Sequence, residues 1–425
     1  MKVLRVLGLM LPFLCFACLA EAGDPAGEIA GRTAEVVAFP DPKLEAVIRQ
    51  AIHKPTGDIL DSDLLGLETL NAPSAGIACL SGIEHCVNLI GLELSNNQIA
   101  DVSPLSNLTG LVFLYLNDNQ VTDVRPLSNL TSLLLLLLQV NQIADVSPLS
   151  SLAGLMWLDL SDNPIVNVSP LSGLTQLTEL WLASNRIADV SPLAGLTGLE
   201  ALSLSDNQIA DVNPLAGLTD LTKLRLDWNQ IVDVNPLSRL RNLMVLNLSG
   251  NQVADLDPLS GLTALHHLYL SSNQVREIDS LLANSGLGAG DEILLFGNPL
   301  SLRACAEIRV LEARGAMVDH DPCNADGPVR HTADLNGDGL IDLSELLRLV
   351  QYYNSDGFHC EAGTDDGYAP GPGDTSCAPH AGDYYPQDWH MNLSELLRGI
   401  QFFNLGAYDY CPGQGSEDDF CPGSA

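Results

Sequence analysis

The sequence predicts an α/β solenoid followed by a small α-helical domain. Two observations lead to this fold class. An asparagine recurs every 22 residues from Asn97 to Asn273, nine times without insertion or deletion, within the repeating pattern LxxLxLxxNxIxDVxPL. After Cys323 this pattern ends, and one helix-forming sequence occurs twice, at residues 343–354 and 393–404. A strictly spaced repeat indicates stacked turns that bury a shared core.

Each repeat contains one short predicted strand. In residues 111–119, Leu114 and Leu116 alternate with Phe113 and Tyr115. Because successive strand residues face opposite sides of a sheet, we expect the leucines in the core and the aromatic residues on the outer face. A buried amide without a partner costs about 1–3 kcal/mol, so the recurring asparagines should bond backbone groups of neighbouring turns.

Two further columns of residues predict the opposite side of each turn. An acidic residue follows each asparagine by four positions, with Asn167 and Glu277 as variants. A proline follows three positions later in eight successive repeats, from Pro104 to Pro258. Because proline removes a backbone donor and fixes φ, this column favours a short 3₁₀ or extended turn over an α-helix.

Both ends of the solenoid are predicted to carry caps, because an end turn exposes its leucines and an unpaired strand edge. Residues 39–55 predict an amphipathic helix capped by Asp41, which leads through a second short helix into a degenerate repeat where Ala75 replaces the asparagine. At the far end the register slips by three residues, which places Asn298 in the asparagine ladder. Residues 298–323 predict a last turn and a short helix.

Composition and the first residues restrict the possible functions. The 425 residues include 53 acidic and 19 basic ones, a net charge of −34, which argues against nucleic-acid binding. Residues 1–22 begin with Lys2 and Arg5, continue through an apolar stretch and end in small residues. This pattern predicts a secretory signal peptide rather than a membrane span. A lipid anchor at Cys18 is the alternative. We expect a monomer that is secreted, extracellular or on the cell surface.

Eight cysteines remain after the predicted signal peptide. An even number in an exported chain predicts disulfides, and the positions form four local couples. Zinc is the alternative reading of these cysteines, but no CxxC spacing occurs. The predicted bridges are Cys79–Cys86, Cys305–Cys323, Cys360–Cys377 and Cys411–Cys421.

A twelve-residue segment, DLNGDGLIDLSE at 334–345, has the pattern of a calcium-binding EF-hand loop. Oxygen ligands stand at every diagnostic position, and Gly339 permits the sharp turn in the loop. We expect one Ca²⁺ ion here. The predicted ligands are Asp334, Asn336, Asp338, the carbonyl of Leu340, Asp342 and Glu345.

A second, weaker loop precedes the second copy of the helix. It carries one extra residue after Asp383 and has Trp389 where the glycine belongs. Two interpretations stay open, namely a second calcium ion or a helix pair that keeps only its packing. The candidate ligands are Asp383, Asp388, His390, Asn392 and Glu395.

The run NNQIADVSPL at 96–105 resembles the bacterial internalin-type leucine-rich repeats, over roughly residues 67–300. This resemblance implies a right-handed curved horseshoe with parallel strands on its concave face and a protein or cell-surface ligand bound there. Residues 331–404 resemble dockerin modules, which bind calcium and a cohesin partner. The long spacing and the Gly/Pro-rich segment depart from that pattern, so a cohesin-like and an envelope partner both stay open.

These observations divide the chain into seven segments. They are a signal peptide (1–22), a flexible linker (23–38), a helical N-terminal cap (39–66), the leucine-rich repeats (67–300), a C-terminal cap (301–323), a dockerin-like calcium-binding module (324–410) and a C-terminal tail (411–425).

Outward strand positions are free of core packing and are therefore the candidate ligand site. Aromatic anchors are favoured at interfaces. We expect a non-enzymatic binding or adhesion protein that recognises a protein or cell-surface glycan. The alternative is an accessory or catalytic subunit of an extracellular polysaccharide-degrading assembly, docked through the C-terminal module. The candidate ligand-binding residues are Phe113, Tyr115, Leu135, Leu137, Trp157, Trp181, Arg225, Trp228 and Tyr269. We expect the first six to lie side by side on the concave face as a contiguous apolar patch.

Overall fold

A computed structural model describes residues 35–321 and four short segments, 358–360, 368–370, 408–410 and 420–422. The first of these ranges forms the predicted solenoid, with twelve parallel strands arranged side by side in chain order. The strands are β1 (Thr69–Asn71), β2 (Gly91–Glu93), β3 (Phe113–Tyr115), β4 (Leu135–Leu137), β5 (Trp157–Asp159), β6 (Glu179–Trp181), β7 (Ala201–Ser203), β8 (Lys223–Arg225), β9 (Val245–Asn247), β10 (His267–Tyr269), β11 (Glu292–Leu294) and β12 (Met317–Asp319).

The asparagine ladder joins consecutive turns, as the repeat predicts. The Oδ1 atom of Asn163 accepts a hydrogen bond from the Ile143 backbone N–H of the preceding turn (2.9 Å). Its Nδ2 atom donates to the carbonyl oxygens of Leu138 and Leu160, both at 3.1 Å, and of Ser161 at 3.0 Å. Asn298 makes the equivalent bonds despite the three-residue slip, which confirms its predicted place in the ladder.

The proline column forms 3₁₀ helices on the side opposite the sheet, which confirms the prediction. In eight of them, the residue four positions after the ladder asparagine accepts a hydrogen bond from the first backbone N–H of the helix, as where Asp145 Oδ1 accepts from the Ser147 backbone N–H (2.9 Å). Where Ser280 replaces proline, the turn becomes an α-helix, α3 (Asp279–Ala283). The 3₁₀ helices are Ile83–His85, in the degenerate repeat, then Ser103–Leu105, Arg125–Asn129, Ser147–Ser151, Ser169–Gly173, Ser191–Gly195, Asn213–Gly217, Asn235–Arg239 and Asp257–Leu259.

The N-terminal cap contains α1 (Pro42–Ala51) and α2 (Asp61–Leu64). Asp41 caps α1 by accepting from the Lys43 N–H (2.9 Å), as predicted. Its other carboxylate oxygen also accepts from the Ala78 N–H at 2.7 Å, which ties the helix to the first turn.

This cap begins earlier than the predicted boundary at residue 39. Val36 forms an antiparallel bridge with Leu60, and the buried Val37 donates its N–H to Ile59 O at 2.8 Å. The end of the predicted 23–38 linker is therefore part of the cap.

The C-terminal cap contains the predicted helix, α4 (Leu302–Ala313), whose N-terminus is capped by Ser301 Oγ. After this helix the chain returns to the sheet as β12, which pairs with β11. The sequence did not predict β12. It extends the sheet past the predicted end of the repeats, because the exposed edge of β11 offers unpaired backbone groups.

The described segments after residue 321 form two antiparallel pairs. β13 (Phe358–Cys360) pairs with β14 (Tyr368–Pro370), and β15 (Tyr408–Tyr410) pairs with β16 (Phe420–Pro422). The sequence predicted a helical module in this part of the chain and did not predict these strands. The predicted signal peptide and both predicted calcium loops lie outside the described residues. Within the described ranges, no helix is both long and apolar enough to span a bilayer.

Candidate ligand-binding face

The first and third residues of each strand point away from the core and form two rows, which together we call the open sheet face. Neighbours within a row are register partners on adjacent strands. From β3 to β11 the first row is Phe113, Leu135, Trp157, Glu179, Ala201, Lys223, Val245, His267 and Glu292, and the second is Tyr115, Leu137, Asp159, Trp181, Ser203, Arg225, Asn247, Tyr269 and Leu294.

Five predicted ligand-binding residues lie together at one end of this face. They are Phe113, Leu135 and Trp157 in the first row, with Tyr115 and Leu137 beside them in the second. We call these five residues the aromatic patch. Leu135 is buried and the other four are half-buried, because they cover one another. Burial, and then the nearby Glu93, raises the pKa of the Tyr115 phenol.

Trp181 is separated from this patch by acidic residues. Asp159 stands between Leu137 and Trp181 in the second row, and Glu179 is the register partner of Trp157 in the first. Trp181 Nε1 donates to Glu179 Oε2 at 3.3 Å. Burial raises the pKa of both carboxyl groups. The prediction of six contiguous apolar residues was therefore wrong at this point. The missed acids stand at outward strand positions, where the repeat register could have placed them.

Two basic side chains reach over the other side of Trp181. Lys223 Nζ lies 4.9 Å from the centroid of the indole, and the Arg225 guanidinium carbon lies 6.0 Å from it. Ala201 and the buried Ser203, on the intervening strand β7, are small enough to let both chains cross. Burial, and then the charge of Arg225, lowers the pKa of the Lys223 ammonium.

A polar cluster lies near the C-terminal end of the open sheet face. Glu292 Oε2 accepts from Tyr269 OH at 2.8 Å and lies 3.1 Å from His267 Nδ1. These two bonds lower the pKa of Glu292. The adjacent His266 bonds Asp291 instead, at 2.7 Å. The two histidines therefore serve different carboxylates, as expected for neighbouring residues that face opposite sides of a strand.

Trp228 does not lie on the open sheet face with the other candidates. It follows β8 at a position where every repeat adopts a left-handed backbone, with φ 55° here, and its side chain is 62% exposed. In the next repeat this position is Gly250, and a Cβ there would stand 2.6 Å from the Trp228 ring. The indole therefore rests against Gly250 on the rim of the solenoid.

The predicted bridge between Cys79 and Cys86 is not formed, and both residues are free thiols. Cys86 is buried in the core, which raises its pKa to about 12. The Cys79 thiol instead bonds Ser81 Oγ at 3.3 Å. Cys305 is disulfide-bonded. Its predicted partner Cys323 lies outside the described residues.

One further acidic group lies in the C-terminal cap. Carboxylate oxygens of Glu277, Asp279 and Glu307 lie within 4.8 Å of one another. Arg303 forms ion pairs with Asp279 and with Glu307, the latter at 3.0 Å. The group is thus an ion-pair network that links α3 to α4. Side chains of the predicted calcium ligands, and of the cysteines after Cys323, lie outside the described residues.

Comparisons with known proteins agree with this geometry. The family model for leucine-rich repeats in two copies matches residues 87–129, 157–195, 197–239 and 241–283. An internalin structure, inlF from Listeria monocytogenes, has 32% sequence identity and a TM-score of 0.59, covering 67% of this chain and 92% of that one. A leucine-rich repeat protein of Leptospira interrogans has 25% identity and a TM-score of 0.53, covering 60% and 73%.

A curated relative, Internalin H of Listeria monocytogenes, is 42% identical over 76 residues. That match spans 17% of this chain and 14% of the length of Internalin H. No catalytic family is indicated by the family model or by these relatives.

Proposed function

Because the chain belongs to the internalin-type leucine-rich repeat proteins, we propose that it is a non-enzymatic binding protein that engages a protein partner through its open sheet face. The observation that carries this proposal is the aromatic patch, five apolar side chains on three consecutive strands. Contiguous apolar surface of this kind usually marks an interaction site in soluble proteins. A cell-surface glycan is the other ligand class that the sequence left open.

The apolar character of the patch favours a protein over a glycan. Leu135 and Leu137 lie on β4, the middle strand of the patch, and Leu135 stands between Phe113 and Trp157. Branched aliphatic side chains gain most from burial against other apolar groups. Tryptophan and tyrosine anchors, which often dominate binding energy, flank them. We expect a partner that inserts at least one apolar side chain among these residues.

The test combines capture of a partner with substitution of two aromatic residues of the patch. Full-length chain is immobilised and exposed to surface-protein extract from its native habitat, and captured proteins are identified by mass spectrometry. Phe113→Ala with Trp157→Ala should weaken the captured complex by a factor of about 100 or more, since anchor residues contribute about 2–4 kcal/mol. Trp228→Ala, on the rim, is the matched control. Undiminished capture by the double variant would place the site elsewhere.

The enzyme alternative has its own test. Purified protein is assayed on polysaccharides and peptides. Turnover that one point substitution abolishes would overturn the binding proposal, whereas the proposal expects none.

We further propose that residues 334–345 hold a calcium ion that stabilises a C-terminal attachment module outside the cell. The support is the donor set, because Asp334, Asp338 and Glu345 supply the hard oxygen ligands that Ca²⁺ prefers. When bound, the ion would hold the loop in one conformation before the predicted helix at 343–354. The pattern of residues 1–22 supports export.

A further inference from the structure

We propose that Lys223 and Arg225 form an anion-binding subsite on the open sheet face, and that this subsite takes an acidic side chain of the protein partner. This inference rests on the proposed function and adds a chemical requirement to it. The partner must present a carboxylate at a defined distance from the apolar residue that enters the aromatic patch.

The first argument is the distribution of charge. The chain carries a net charge of −34, with only 19 basic residues. Within the twelve-stranded sheet, Lys223 and Arg225 are the only lysine and arginine, and both stand on β8. An anionic partner is repelled by most of this surface, so the basic pair is the favoured point of contact.

The second argument is that neither cation forms a direct ion pair with another described residue. Among the described residues, neither side chain has a carboxylate oxygen within 4.0 Å, in contrast to Arg125 and Arg303. Both instead lie over the indole of Trp181. A cation held over an aromatic ring keeps its charge and its hydrogen-bond donors available.

The third argument is the mutual repulsion of the two cations. Lys223 is half-buried, and its pKa is lowered first by burial and then by Arg225, while the charge of Glu179 offsets part of this shift. Glu179, the nearest acid in the first row, receives the Trp181 N–H and has a pKa raised by burial. A carboxylate placed between the two cations would relieve their repulsion and could accept charge-assisted hydrogen bonds from both.

The position of the subsite fits a single extended segment of a protein partner. Trp157 on β5 is separated from β8 by three strand spacings, roughly 14 Å in a sheet with about 4.8 Å between strands. An extended peptide covers that distance in about five residues, at about 3.3 Å per residue. A single partner segment can therefore place an apolar residue on the aromatic patch and an acid on β8.

The experiment selects a random-sequence peptide display library on full-length wild-type chain and on the charge-reversed variant Lys223→Glu with Arg225→Glu. Wild-type chain should enrich peptides with Asp or Glu a few residues from an aromatic or aliphatic residue. The variant should lose this preference and bind the wild-type peptides at least tenfold more weakly. The matched control, Arg239→Glu with Arg241→Glu, reverses two exposed basic residues outside the sheet and should leave the preference unchanged.

The outcomes distinguish failure of this inference from failure of the proposed function. Enriched peptides without acidic residues, or equal enrichment on the charge-reversed variant, overturn the anion subsite and leave the aromatic patch standing. Failure to enrich any peptide counts against a protein partner and so against both. Binding of oligogalacturonate that requires Lys223 and Arg225, without acidic peptides, overturns the protein assignment. Lys223→Gln with Arg225→Gln keeps much of both side-chain stems and should show the same loss with an unchanged melting temperature.

Discussion

Replacing Asn163 with alanine tests the asparagine ladder most directly. The amide serves four backbone groups, but their dependence on it differs. The Leu138 and Leu160 carbonyls each accept a second bond, from Asn141 (3.0 Å) and Asn185 (3.1 Å). The Ile143 N–H is buried and has only the amide as its partner among the described residues.

The expected cost follows from this difference. An orphaned buried N–H costs about 2 kcal/mol, and loss of the amide's own donor bonds adds about 1–2 kcal/mol. We therefore expect Asn163→Ala to lower the free energy of unfolding by about 3–4 kcal/mol. Urea unfolding of the full chain, monitored by tryptophan fluorescence, measures this change through the slope and midpoint of the unfolding transition.

Two further variants sharpen the result. Asn242→Ala removes one exposed bond, from Nδ2 to Thr219 O, and should cost less than about 1 kcal/mol. Asn163→Asp keeps an acceptor for Ile143 but, when ionised, cannot donate to the carbonyls. The ionised form is disfavoured in the folded state, so the destabilisation of Asn163→Asp should shrink as the pH falls towards about 4. Equal costs for the Asn163→Ala and Asn242→Ala substitutions would refute the ladder as a source of stability.

Three other substitutions test the rim, the N-terminal cap and the calcium loop. Gly250→Ala places a Cβ against Trp228 on a left-handed backbone, so it should lower the free energy of unfolding by about 1–2 kcal/mol and shift the tryptophan emission. Gly261→Ala, which has open space around it, should change neither. Burial raises the pKa of Asp41, but its backbone N–H donors outweigh this and hold the pKa below the usual range. Stability from Asp41 is therefore present above about pH 4 and lost as pH falls through the lowered pKa, so Asp41→Ala should cost about 2–4 kcal/mol at pH 7 and less in acid. Glu345→Gln should abolish a calcium-dependent rise in melting temperature, and a wild-type chain indifferent to chelation would contradict the calcium proposal.

The repeat made most of the solenoid predictable, because each position in a stacked turn has one environment. Leu114 is buried, Phe113 faces outward and Asn298 joins the ladder for the same reason that their equivalents do. Register alone would also have placed Asp159 and Glu179 beside the tryptophans. The order of apolar and acidic residues along the two rows, more than the amino-acid composition of the face, limits which ligands fit the open sheet face.

The unpredicted features lie where the repeat stops or where one side chain occupies an unusual position. Cys79 and Cys86 are close in sequence, but Cys86 is buried in the core and Cys79 lies outside it. β12 forms only because a helix returns the chain to an open edge. Tryptophan is typical of binding faces, but Trp228 lies on the rim of the solenoid.

The spacing between neighbouring strands is uniform along the open sheet face. Every turn adds one strand at the same spacing, about 4.8 Å, and the ladder bonds are the same at each step. Inserting or deleting whole 22-residue units between β5 and β8 would move the basic pair relative to Trp157 without any new packing. The distance between Trp157 and the basic pair can therefore change only in whole strand steps.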